Sequence, residues 1–226
     1  INNYDALMIR SGTQVTEEII NSSKKLRIIG RAGVGVDNVD VKAATQKGVL
    51  VVNSPGGNTI AAAEHTIAMM LALSRNIPIA NSSTFLGKWE RKKFVGNELF
   101  KKKLGVVGLG KIGTHVVKVA NALGMDVYGY DPFVSTERAQ QLQVKLAELK
   151  TLFEESDYVT LHLPRTSETE NLVDMKVLKS MKNNAKLINC ARGGIIDEEA
   201  LAEALNNSLI GGAAIDVFAE EPLCNN

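Results

Sequence analysis

Gly108, Gly110 and Gly113 stand in Gly-x-Gly-x-x-Gly spacing, directly after the apolar run Leu104-Gly105-Val106-Val107 and at the start of a helical pattern. Glycines in that order suit a tight turn, a close approach of backbone to a pyrophosphate, and close packing of helix on strand. A helix beginning near Lys111 aims its N–H groups and the positive end of its dipole at the same phosphate. Asp131 closes the next strand, Asp126 to Tyr130, and lies 18 residues after Gly113. At that distance a carboxylate can bind both hydroxyls of an adenosine ribose. A lone Gly-rich turn often serves only packing. Strand, helix and acid together point to a dinucleotide. Pro132 and Phe133 follow Asp131 with no nearby arginine to take a 2′-phosphate, which favours NAD over NADP.

Other strand ends carry anion-binding residue types. Arg10-Ser11-Gly12 follows one apolar run, and Gly30-Arg31-Ala32-Gly33-Val34-Gly35 follows another and enters a helix. Cys190-Ala191-Arg192-Gly193-Gly194 and Asp216 to Pro222 follow two more. Arginine suits bidentate capture of carboxylate or phosphate, and N–H groups of a Gly-rich loop can hold the same anions. A single surface arginine is usually just solvated. Three at strand ends, two beside Gly turns, imply a small anionic substrate. Seven of the 16 residues from Lys88 to Lys103 are basic, opposed only by Glu90 and Glu98. That run reads either as a solvated face or as a local field for a small anion.

The elements that must position these residues alternate apolar runs with helical patterns, the mark of parallel α/β architecture. Strands are expected at Tyr4 to Ile9, Leu26 to Ile29 and Val49 to Val52, with helices at Thr16 to Lys24 and Asn38 to Lys47. Ser54-Pro55-Gly56-Gly57-Asn58 then reads as a hinge, followed by one long helix near Ile60 to Ser74 and an irregular stretch around Gly87 to Arg91. Six further strands are expected at 104–107, 126–130, about 143–146, 158–163, 185–189 and 211–215. Helices between them give a doubly wound parallel sheet of order 3-2-1-4-5-6. The expected division is residues 1–54, a partial substrate-binding domain, and 55–226, a nucleotide domain incomplete at its C-terminal end.

Bulk composition narrows the partners. The 226 residues carry a net charge of +1, with 45% hydrophobic and 23% charged residues, as in an ordinary globular protein. Near-neutrality argues against nucleic acid. No run of about 18 apolar residues signals a membrane span, and no signal peptide is visible. Cys190 and Cys224 make no disulfide framework and fit a reducing compartment such as the cytoplasm. No metal centre is expected. The chain opens at Ile1 directly into a strand and stops just after one, so both ends read as cut from something longer.

Five segments resemble the D-isomer-specific 2-hydroxyacid dehydrogenases over essentially the whole chain. They are Val-Gly-Leu-Gly-Lys-Ile-Gly (107–113), Gly-Arg-Ala-Gly-Val-Gly-Val-Asp-Asn-Val-Asp (30–40), Gly-Lys-Trp-Glu-Arg-Lys-Lys-Phe (87–94), Asn-Cys-Ala-Arg-Gly-Gly-Ile-Ile-Asp (189–197) and Ala-Ile-Asp-Val-Phe-Ala-Glu-Glu-Pro (214–222). The resemblance implies a Rossmann-type NAD domain with a partial, smaller flavodoxin-like substrate domain. It implies catalytic roles for Arg192, which would bind the substrate carboxylate and polarise its carbonyl, and for Glu221, which would hold a catalytic histidine and raise its pKa. Arg10, Arg31, Gly33, Val34, Gly35 and, more weakly, Arg91 would bind the substrate's anionic groups. Gly108, Gly110, Lys111, Ile112, Gly113 and Asp131 would hold NAD, with His162, Leu163, Pro164, Thr169, Cys190, Ala191 and Asp216 lining the nicotinamide side.

The Arg31 loop and the Trp89 segment point within the family to oxidation of 3-phospho-D-glycerate, the first step of phosphorylated serine biosynthesis. Reduction of glyoxylate, hydroxypyruvate or D-lactate, and an NADH-sensing corepressor-like dimer, remain alternatives. The family's catalytic histidine falls beyond Asn226. Of the three histidines present, His65 and His115 read as ordinary core or surface residues, and His162 as a poor substitute base. The family implies a homodimer through the NAD domain, with a tetramer open for the full-length protein. It also leaves a plastid location open for a plant source.

Overall fold

The computed structural model describes residues 1–223 and divides into two compact units, Ile1–Thr59 and Ile60–Asn226. In the first, three parallel strands lie in the order β1 (Ala6–Ile9), β2 (Ile28–Arg31) and β3 (Leu50–Asn53). Helices α1 (Glu17–Ser22) and α2 (Val41–Lys47) make the crossovers. The side chain of Thr16 caps α1 by accepting from the Ile19 N–H, and that of Asp40 caps α2 by accepting from the Ala43 N–H.

Capping explains why α2 starts at Val41 rather than at Asn38. Asn38 is buried and serves elsewhere. Its side-chain amide donates to the carbonyls of Arg10 (2.9 Å) and Thr13 (2.6 Å), tying down the loop after β1. Strand β2 lies two residues later than the apolar run suggested. Leu26 turns into the core with Ile9, Val15, Ile20 and Ile29, and the ladder continues until the Ala32 N–H donates to the Ile9 carbonyl at 2.9 Å.

The second unit holds six parallel strands, β4 (Lys103–Val107), β5 (Asp126–Tyr130), β6 (Lys145–Leu146), β7 (Tyr158–Leu161), β8 (Lys186–Asn189) and β9 (Gly212–Ile215). Their order is β6-β5-β4-β7-β8-β9, the doubly wound order expected. All four residues of β7 and of β8 are buried, as sheets covered on both faces require. Alternation sorts them: Val107, Val159 and Leu187 face one apolar cluster with Leu152, Phe153 and Leu178, while Val106, Tyr158 and Ile188 face another with Val116 and Val117. The covering helices are α3 (Thr59–Ser74), α4 (Ile77–Phe85), α5 (Lys111–Ala122), α6 (Thr136–Gln141), α7 (Leu149–Glu155), α8 (Met175–Ser180) and α9 (Glu198–Asn206). Helix α3 brings Ala63, Ile67 and Met70 into the Val106 cluster.

Two short elements went unread in the sequence. The long helix expected near Ile60 to Ser74 is α3, and a second, unexpected helix, α4, follows it, separated because Asn76 takes a left-handed conformation (φ +55°) and Pro78 suits only a first turn. The stretch read as irregular contains a short 3₁₀ turn, Arg91–Phe94.

Close approach of α5 to β4 rests on Gly113, where an added Cβ would lie 2.0 Å from the Gly108 carbonyl oxygen. Gly113→Ala should therefore cost about 1–3 kcal/mol in urea unfolding, the usual range for overpacking. Unchanged stability would show that the turn has room to spare.

Candidate functional site

The Gly-rich turn is built by backbone constraints. Gly108 has φ +96°, and a Cβ there would meet the His162 carbonyl oxygen at 2.5 Å. Its N–H donates to the Tyr130 carbonyl at 2.8 Å. The Leu109 N–H donates to Asp131 Oδ2 at 2.8 Å, and the Phe133 N–H to Asp131 Oδ1 at 2.9 Å. Asp131 is thereby clamped beside the turn, while each carboxylate oxygen keeps acceptor capacity for a ribose hydroxyl. Gly110 caps α5 without any side-chain hydrogen bond, and the direction its Cβ would take is open to 4 Å. An open cradle over a helix N-terminus, beside a fixed carboxylate, fits a dinucleotide. Lys111 opens α5, and Ile112 packs against the Val106 cluster.

At the end of β7, His162 is half-buried, with Nε2 3.1 Å from Thr160 Oγ1. Burial pushes its pKa down from 6.5 to about 4. It is neutral near pH 7, and its conjugate acid is too strong for a useful general base there. Leu163 packs against the apolar cluster on the Val107 side, and Thr169 Oγ1 donates to the Pro164 carbonyl at 2.6 Å, fixing the loop between them.

The ends of β8 and β9 converge. Buried Asn189 accepts from the Ala191 N–H (3.0 Å) and donates to the Arg192 carbonyl (2.8 Å), so one amide shapes the Cys190–Arg192 turn. Arg192 Nη1 donates to the Ala191 carbonyl at 2.6 Å. An added Cβ on Gly193 would lie 1.8 Å from the Phe218 carbonyl oxygen, so only glycine lets this turn sit against the loop after β9. That loop is held by Glu221 Oε1, which accepts from the Phe218 N–H at 2.9 Å, and by Glu198 Oε1, which accepts from the Ala219 N–H at 2.6 Å. Arg192, Glu221, Cys190, Ala191 and Asp216 thus lie on two loops in direct contact.

Sequence reading missed Asn189 as the clamp, and missed α3 as a contributor. His65 Nε2 lies 3.2 Å from Asp216 Oδ1, and the Cys190 sulfur lies within 4.8 Å of both ligand atoms. Burial, reinforced by the nearby Asp216, pushes the Cys190 thiol up to about 11 and keeps it neutral. Partners so far apart in the chain leave no local pattern to read. Cys224 lies outside the described residues.

In the first unit, Arg10 follows β1 and Arg31 ends the neighbouring strand, paired in register with Ile9. Arg10 is exposed. The Arg31 guanidinium lies across Gly33, where an added Cβ would fall 1.6 Å from Nη1, and its buried Nε has no partner among the described residues. An orphaned charged donor beside a Gly-rich turn fits an oxyanion. The Asn53 amide donates to the Val34 carbonyl and the Ser54 N–H to that of Gly33, so the end of β3 shapes the Gly33–Gly35 loop. Arg91 is exposed on the 3₁₀ turn and follows no strand in the chain.

Because His162 has its folded pKa near 4 and its ordinary value at 6.5, the unfolded chain binds more protons between those values. Stability should fall as pH drops from about 6.5 toward about 4, and this contribution should vanish above 6.5. Urea unfolding of His162→Gln should show a shallower decline over that range; an identical slope would refute the assignment.

The pattern of the D-isomer specific 2-hydroxyacid dehydrogenase NAD binding domain matches residues 67–226. The chain is 62% identical over 220 residues to a D-3-phosphoglycerate dehydrogenase of Synechocystis sp., covering 97% of this chain and 40% of that protein. It is 49% identical over 226 residues to the enzyme of that name from Bacillus subtilis, covering 100% and 43%. It therefore spans about two fifths of the length of these curated relatives. Among solved structures, D-lactate dehydrogenase from Aquifex aeolicus complexed with NAD and lactic acid superimposes with a TM-score of 0.90 at 32% identity, covering 97% of this chain and 66% of that one. The chain belongs to the D-isomer specific 2-hydroxyacid dehydrogenase family and carries its NAD-binding domain.

Proposed function

We propose that the chain is the coenzyme- and carboxylate-binding part of an NAD-dependent dehydrogenase that oxidises 3-phospho-D-glycerate to 3-phosphohydroxypyruvate. The observation that carries this reading is the Asn189-clamped Arg192 turn seated against the Glu221 loop, at the end of a sheet whose Gly-rich turn accepts a dinucleotide. Relatives named D-3-phosphoglycerate dehydrogenase at 62% and 49% identity support the phosphorylated substrate. So does Arg31, whose guanidinium presents a buried, unpartnered N–H beside the Gly33–Gly35 loop.

Roles follow from chemistry. Gly108, Gly110, Lys111, Ile112 and Gly113 would hold the pyrophosphate over α5, and Asp131 would bind the adenosine ribose. His162, Leu163, Pro164, Thr169, Cys190, Ala191 and Asp216 would line the nicotinamide side, where bound NAD supplies the hydride acceptor. Arg192 would pair with the substrate carboxylate and, through its second N–H edge, draw electron density from the neighbouring carbonyl oxygen. Glu221 uses one oxygen on the Phe218 N–H. The other would orient the imidazole of a general base and favour its charged form. Arg10 and Arg31, with Gly33, Val34 and Gly35, would hold the substrate's anionic groups, and Arg91 would add field to the phosphate.

Association between copies fits the same unit. Phe85, Leu86, Trp89 and Val95 are 89%, 68%, 78% and 78% exposed within one eleven-residue stretch, apolar side chains that a partner copy would cover. A homodimer through α3, α4 and the Trp89 segment would cover it. A reducing compartment suits the neutral Cys190 thiol, whether cytoplasm or, as in the relative from Arabidopsis thaliana named chloroplastic, a plastid.

Arg192→Ala in the full-length enzyme should lower kcat/KM for 3-phospho-D-glycerate roughly 10²–10³-fold, the usual effect of losing one charge-stabilising donor. NAD affinity by calorimetry should stay close to that of the parent. Asp131→Ala should weaken NAD by about 1.5–3 kcal/mol through lost charge-assisted hydrogen bonds. Equal turnover in the first variant, or equal NAD affinity in the second, would overturn the respective role. Trp89→Glu should shift sedimentation toward monomer; an unchanged profile would place the dimer contact elsewhere.

A further inference from the structure

Three donors of different chemistry meet where α3 crosses the ends of β8 and β9. The ligand atoms of His65, Cys190 and Asp216 all lie within 4.8 Å of one another. His65 Nε2 and Asp216 Oδ1 are already 3.2 Å apart. We propose that these three residues form a binding site for a zinc-class divalent cation.

The frame that holds them is rigid. Asn189 and Ile215 pair in register across β8 and β9, so the next residues, Cys190 and Asp216, emerge side by side, and the Asp216 N–H donates to the Asn189 carbonyl at 3.0 Å. The third donor is anchored by α3, whose Ala63, Ile67 and Met70 pack in the same cluster as buried Ile188. The neighbouring Thr66 is buried, its hydroxyl donating to the Ala62 carbonyl at 2.8 Å, which holds this turn of α3 in place.

The donor set selects the ion. One imidazole, one sulfur and one carboxylate are the ligands of zinc and its neighbours, whereas magnesium and calcium take oxygen alone. Bonds of about 2.0–2.3 Å in a tetrahedral site put donors about 3.3–3.8 Å apart. The histidine–carboxylate pair is already near that separation, and the widest gap, at most 4.8 Å, closes by rotation of side chains that are not fully buried. His65 and Asp216 are each 47% exposed, leaving an entry path and room for water in the fourth position. A cation there would occupy the carboxylate that the coenzyme reading gives to the nicotinamide side, so metal and NAD should exclude each other. That corollary rests on the proposed function; the metal site does not.

The test is titration of the reduced chain with cobalt(II), then displacement by zinc. Stoichiometric binding should bring the visible bands of a four-coordinate site and a near-ultraviolet thiolate-to-cobalt absorption. Cys190→Ser should abolish that absorption. His65→Ala and Asp216→Asn should each weaken binding by more than the roughly 10–100-fold typical of losing an outer partner of a ligand. Absence of the thiolate band in the parent chain, or its persistence in Cys190→Ser, which would assign it to Cys224, overturns the proposal. So does cobalt affinity unaffected by the other two substitutions in variants with parental circular dichroism. If the band forms but NAD fails to displace it, only the exclusion of coenzyme by metal is lost.

Discussion

Everything in the nucleotide-binding unit depends on one close approach of backbone to backbone. The turn after β4 runs so near the end of β7 that Gly108 must be left-handed, and the helix after it so near the strand that Gly113 must lack a Cβ. These two contacts fix where α5 begins and where its N–H groups point. Asp131 completes the arrangement by accepting from Leu109 and Phe133, which locks the end of β5 to the same turn. Gly110, between the two crowded glycines, faces open space. Crowding at two positions and vacancy at the third are what a pyrophosphate requires of a Gly-rich turn.

The same economy governs the other end of the sheet. A single buried amide, Asn189, shapes the turn that carries Arg192, and the absence of a side chain at Gly193 lets that turn rest on the loop carrying Glu221. Side chains on loops gain precision when a rigid scaffold and outer hydrogen bonds hold them. Here the scaffold is two strands, β8 buried along its whole length and β9 beside it, and the outer bonds come from Asn189 and Glu198.

Much of this was legible in the residues alone, for identifiable reasons. The strand order followed from the alternation of apolar runs and helical patterns, and the dinucleotide turn from glycine spacing, because each is a local signal. Boundaries were less legible. Asp40 rather than Asn38 starts α2, since Asn38 serves the loop after β1 through long-range hydrogen bonds. The long helix expected near Ile60 to Ser74 is α3, but α4 went unread beyond Asn76, which adopts a left-handed conformation that its side chain tolerates but does not announce. His65 read as an ordinary helical histidine. Its pairing with Asp216 depends on where α3 packs, which no window of sequence encodes. His162 showed the converse: a histidine at a strand end invites a catalytic reading, and burial removes its basicity.

The most direct measurement is a crystal structure of this chain grown with NAD. Ribose hydroxyls should lie on the Asp131 carboxylate, the pyrophosphate over Gly110 at the start of α5, and the nicotinamide toward the ends of β8 and β9. A coenzyme bound with its adenosine away from Asp131, or no coenzyme at saturating concentration, would contradict that arrangement.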